Sequence, residues 1–159
     1  MNIFNPFTVM ITFAILMACL AYFKPRIGKI VLGIFFLIMA FGVNVPVLLT
    51  DLTLFAAAGE KALLPIYHWF FTEILKNYPI PFVVALILFE ATTGILILSK
   101  GKAVKLGLLA ASLFCLFLVP VGMEEITSPA LILSFAILWR KTTDQENRKV
   151  PAQELVANT

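Results

Sequence analysis

The stretch Val84–Lys105 reads VALILFEATTGILILSKGKAVK, and its reading decides the fold. As far as Leu98 it is apolar except for Glu90 and two threonines; from Lys100 onward it carries three lysines. An apolar run of this length that ends in a cluster of cations has the form of a membrane-spanning helix with its end at a basic membrane face. Glu90 then falls near mid-span, roughly 15 Å from either face at 1.5 Å per residue. A lone carboxylate at that depth costs about 2.5–3.5 kcal/mol on insertion scales, so its presence needs a reason.

The rest of the chain fits the same class. Of its 159 residues, 61% are hydrophobic and 13% charged, and the mean hydropathy is +1.00. A soluble domain is closer to half apolar and a quarter charged. The net charge of +3 does not point to nucleic acid, because the cations stand at the ends of apolar runs. The sequence predicts an all-α membrane protein, a bundle of five transmembrane helices over residues 7–23, 30–50, 80–99, 104–123 and 125–140. The fifth run is short and crosses only if its flanks are counted.

Charges between the runs set the orientation. KPRIGK (Lys24–Lys29), KGKAVK (Lys100–Lys105) and the segment after Trp139 are basic, whereas Asp51–Tyr78 is near neutral and MEEITSP (Met123–Pro129) is acidic. The positive-inside rule gives an outer N-terminus and a cytoplasmic C-terminus. Leu16–Cys19 (LMAC) has the look of a lipobox, but cations follow the first run rather than precede it, which is the wrong polarity for a secretory signal.

Within Asp51–Tyr78, Leu63, Ile66, Tyr67, Phe70, Phe71 and Ile74 recur at three- and four-residue steps. That period predicts an amphipathic helix over residues 63–76, lying in the outer interface with Tyr67, Trp69 and Tyr78 at headgroup level. Residues 142–159 are polar and without period, and read as a disordered cytoplasmic tail.

Several side chains are candidates for chemistry. Glu90 is either a hydrogen-bonded packing group or a proton or ligand site, with Thr93 and Gly94 on its face, the glycine admitting a neighbouring helix. Asn44, in the second run and about a turn shallower, calls for an interhelical partner. Asp51, His68, Glu73, Glu124 and Glu125 gather on the outer side; they read as a wet surface rather than a metal or proton site. Cys19 and Cys115 read as small core residues at depths too different for a disulfide. There is no nucleotide-binding, hydrolase or metalloprotease motif, a single His excludes bis-His haem ligation, and nothing points to a cofactor or a metal.

Pro79, Pro81, Glu90, Gly94, Gly101 and Lys105, set in YPIPFVVALILFEATTGILILSKGKAVKLGLLAASLF, resemble the pattern of the DoxX-like membrane proteins, and Arg26–Gly42 resembles that family's first core helix. The resemblance covers about residues 26–139 as a four-helix core, with residues 7–23 an added N-terminal helix. Val43 and Asn44 stand where the family pattern often carries a lysine or histidine. The resemblance implies a bacterial inner-membrane protein, often tied to thiol, sulfur-oxyanion or quinone redox systems. It implies an accessory role, with a quinone-like ligand or a membrane protein partner near Glu90. From the residues alone, a small proton-coupled transporter using Glu90 and a structural subunit of a larger membrane complex stay open.

Overall fold

The computed structural model describes residues 6–122 and 128–157. Among them every regular element is helical. Helix α1 is Pro6–Phe23 and α2 is Pro25–Leu37. A π-helical stretch, Ile38–Asn44, carries α2 without interruption into α3, Val45–Thr50. Then come α4 (Thr53–Glu60) and α5 (Pro65–Trp69), which runs on through π-helical Phe70–Leu75. Helices α6 (Pro79–Leu98) and α7 (Lys102–Leu118, closed by a 3-10 turn at Val119–Val121) precede α8 (Ala130–Ala157).

Among the described residues, three helical rods are long and apolar enough to cross a membrane: Pro25–Thr50, Pro79–Leu98 and Lys102–Val121; Thr8–Phe23 is a shorter apolar stretch of α1. The second expected run thus starts earlier than its hydropathy suggests. Pro25 opens α2, where a missing N–H costs nothing, so Pro25–Lys29 is the first turn of a helix rather than a loop. Only Lys24 separates α1 from α2.

Each rod has one buried face. On α1 it is Ala14, Met17 and Ala21; on α7 Val104, Leu108, Ala111 and Cys115; on α8 Leu131, Phe135 and Leu138. These are three- and four-residue steps, the period of a helix stripe. They meet Leu32, Phe36 and Ile97 in one core; a smaller one joins Ala40, Val83, Ile87 and Ala91. The opposite faces are also apolar: Ile15, Leu88, Ile95, Leu113, Phe117 and Leu133 are all exposed. A ring of bare aliphatic side chains around a helical bundle suits hydrocarbon and not water. Cys19, expected in the core, is exposed, while Cys115 is buried, and no disulfide joins them. The reason is helical phase, since Cys19 shares its face with exposed Leu16 and Phe23.

The segment after Thr50 is richer than its periodicity indicates. The expected helix over 63–76 is present from Pro65 to Leu75, and α4 pairs with it to form a hairpin. Gly59 makes the pairing possible, because a Cβ there would sit 2.1 Å from Phe71 Cβ. His68 Nδ1 lies 2.9 Å from the Gly59 carbonyl. The hairpin caps one end of the bundle: Leu63 N–H donates to Pro120 O (2.8 Å), Tyr67 stacks near Phe117 (5.5 Å), and Phe70 meets Phe82 edge-on (5.2 Å). Asp51 Oδ1 accepts from Thr53 N–H and Oγ1, which starts α4 and holds the Asp51 carboxyl below the usual carboxylate range.

The tail also differs from expectation. Where the composition of residues 142–159 suggests no regular structure, α8 continues to Ala157. The helix nucleated by the apolar part of α8 runs on through residues rich in the good helix formers Gln, Glu, Arg and Lys, and past Pro151, which removes one backbone hydrogen bond.

Candidate functional site

Two local features bring Glu90 and Asn44 together. The first is the crossing of α2 and α6. Gly33 and Gly94 face each other there: a Cβ on Gly94 would lie 2.9 Å from Gly33 O, and one on Gly33 would lie 3.1 Å from Gly94 O. Two glycines at one crossing let the backbones touch, a familiar device where there is no water to drive helices together. Near the basic end, Lys29 Nζ donates to Ser99 O (2.8 Å), satisfying a carbonyl just past the end of α6.

The second feature is the π-helical stretch. Pro46 has no N–H to give, and in a regular helix its ring would collide with the carbonyl of Gly42, four residues back. The backbone widens instead, and Val45 N–H bonds to Ala40 O, five residues back. The widened turn ends at Asn44 and carries its side chain into the bundle. π-Helical insertions often sit at functional positions.

Asn44 Nδ2 donates to Glu90 Oε2 at 2.6 Å, with both residues buried (6% and 3% exposed). The sequence placed Asn44 a turn shallower than Glu90. The long rod from Pro25 and its widened turn remove that difference. Thr93 is buried on the same face of α6 (1%), as is Gly94. All four residues singled out for this site therefore lie inside the bundle, and the hydrogen bond joins two of them directly.

An amide can donate from its nitrogen or accept at its oxygen, and a carboxyl can accept when ionised or donate when protonated. The pair can keep a hydrogen bond in both protonation states of Glu90 if the amide turns over. In a low-dielectric interior such a bond is stronger than in water, and an unpaired polar group is correspondingly costly.

Two of the clefts on the described surface can be placed against the site. One, of about 830 Å³, lies by Lys29 and Lys100 at the basic end; the other, about 320 Å³, lies between Leu52, Glu60 and Lys76 beside the hairpin. Glu90, Asn44 and Thr93 line neither. Ser134, which the sequence reading passed over, is fully buried with its hydroxyl unpartnered. A serine in the apolar run of α8 was the only available signal.

Among the described residues no three His, Cys, Asp or Glu side chains stand close enough to hold a metal. Of the polar set expected on the outer side, Asp51 is engaged with Thr53 and His68 with Gly59; Glu124 and Glu125 lie outside the described residues. Comparison with protein-family models, curated proteins and solved structures gives no match.

Proposed function

We propose that this chain is an integral membrane accessory protein of the DoxX-like type, whose Glu90–Asn44 pair is its polar centre and receives a quinone-like hydrophobic ligand or a redox partner. The observation that carries the reading is the buried 2.6 Å hydrogen bond between two polar side chains in the apolar interior of spanning helices. Intramembrane acids are costly and rarely kept without a task. A quinone carbonyl is an acceptor, which a protonated carboxyl or the Asn44 amide could serve in place of their mutual bond. The test is retention of ligand. Protein extracted with its native lipid should carry a lipid-soluble quinone near equimolar ratio, and Glu90→Gln should lower that ratio about tenfold while leaving the helical signal intact. Wild-type protein holding no more quinone than bulk lipid would remove this reading.

Proton-coupled transport with Glu90 as carrier is the second reading. It is favoured by the amide–carboxyl pairing, which tolerates gain and loss of the proton. It requires uptake driven by a proton gradient in vesicles, abolished in Glu90→Gln.

We further propose five crossings of a bacterial inner membrane, with α1 and the apolar part of α8 completing the bundle, the N-terminus outside and the hairpin of α4 and α5 in the outer interface. The support is the alternation of basic and non-basic connections. Thr143→Cys should be shielded from an impermeant thiol reagent in intact cells. Labelling from outside would reverse the orientation or remove the fifth crossing.

A further inference from the structure

We propose that the cleft at the basic end of the bundle binds the phosphate headgroup of an anionic phospholipid. The proposal rests on the membrane reading of the chain and is independent of the role of Glu90. The cleft measures about 830 Å³, and its walls come from the start of α2, the α6–α7 turn and the middle of α8. Arg26, Lys29, Lys100 and Lys141 all line it, and no acidic side chain does among the described residues.

Lys29 and Lys100 are near enough to repel each other. Four cations lining one cleft, with no acidic side chain in its wall among the described residues, attract an anion, and an arginine guanidinium adds a paired donor fork suited to phosphate oxygens. Two of the four are held in place. Lys29 is tethered to Ser99 O at 2.8 Å, and Lys141 Nζ stands 5.4 Å from the centre of the Tyr22 ring. Gly101, at φ 63°, makes the tight turn that presents Lys100 beside the N-terminus of α7, whose first N–H groups also favour negative charge.

The remainder of the lining selects a lipid over a free anion. Ile30 and Leu138 form part of the wall, and the cleft sits where the three spanning rods have an end and a fourth helix, α8, passes. Cations over aliphatic wall at the edge of a bilayer match a phosphate carried on an acyl chain.

The test titrates full-length protein in detergent with short-chain phosphatidylglycerol, read by native mass spectrometry, with phosphatidylcholine of equal chain length and inorganic phosphate as parallel arms. The lining variant Arg26→Gln/Lys100→Gln/Lys141→Gln spares the Lys29 tether. Its charge-matched control is Lys24→Gln/Lys102→Gln/Arg140→Gln, three cations of the same end that do not line the cleft. Phosphatidylglycerol should bind the wild type and the control within about twofold of each other, and the lining variant at least tenfold more weakly. Both other ligands should bind the wild type at least tenfold more weakly than phosphatidylglycerol. Equal weakening in both variants would reduce the site to diffuse surface charge and overturn the proposal. Equal binding of phosphatidylcholine, or of inorganic phosphate, would overturn it as well, the latter by making the cleft a free-anion site. If the lining variant loses its helical signal, Lys100→Gln alone should still weaken phosphatidylglycerol binding about threefold, and no change there would count against the proposal.

Discussion

Gly94→Leu should lower the stability of the bundle by about 3 kcal/mol, the upper part of the usual range for overpacking a tight contact. Even a Cβ at this position would lie 2.9 Å from the Gly33 carbonyl oxygen, a backbone atom with no freedom to swing aside. The two rods must therefore separate, and a leucine forces them further than an alanine. Gly94→Ala should lose only about 1 kcal/mol net, because removing a helix glycine returns roughly 1 kcal/mol of propensity. Gly42→Ala is the internal control. A Cβ there meets only Ile38 Cγ2 at 3.4 Å, an ordinary contact, so the same propensity gain should leave this variant as stable as wild type or up to about 1 kcal/mol more stable. Unfolding in mixed micelles of increasing dodecyl sulfate content, followed by circular dichroism, ranks the three. Gly94→Leu as stable as Gly42→Ala would mean that α2 and α6 do not cross at these glycines.

Asn44→Leu should cost about 1–2 kcal/mol, and Asn44→Leu/Glu90→Leu should recover most or all of it. The single change leaves a carboxyl buried with no partner at 2.6 Å, and an orphaned buried polar group costs about 1–3 kcal/mol. The double change removes both polar groups and fills the space with aliphatic atoms, as hydrocarbon surroundings prefer. Interhelical hydrogen bonds in membranes average only about 0.6 kcal/mol in double-mutant cycles, with a maximum near 1.7. A coupling energy of about 1 kcal/mol or more between the two sites is the expected result from the same unfolding assay. Additive effects, with no coupling, would show that the bond does not hold the helices together. The cycle also bears on function. A double variant that is stable but retains no quinone, and drives no proton-coupled uptake, separates what the pair does for the bundle from what it does for a ligand or a proton.

Composition and spacing by themselves determined that this is a helical membrane protein. Nothing but lipid accommodates so much apolar surface on so short a chain, and runs of this length bounded by charge can satisfy their backbone in lipid only as helices. The period of Leu63 to Ile74 likewise marked the helix that begins at Pro65, and the cost of a mid-span charge singled out Glu90. Hydropathy did not mark the start of α2, because Pro25, Arg26 and Lys29 look like a loop until the proline is read as a first helical residue. It did not reveal α4, whose alanines carry little periodic signal. Tertiary structure alone decided that Asn44 is the partner of Glu90. Depth counted along two separate runs put them a turn apart; a proline two residues from Asn44 widens its helix locally, but the contact also needs two glycines, far apart in the chain, that let that helix lie against the other. The gathering of Arg26, Lys29, Lys100 and Lys141 around one cleft has the same origin. Each looked like an ordinary topological charge in its own connection, and only the packing of three chain segments at one end of the bundle makes them neighbours.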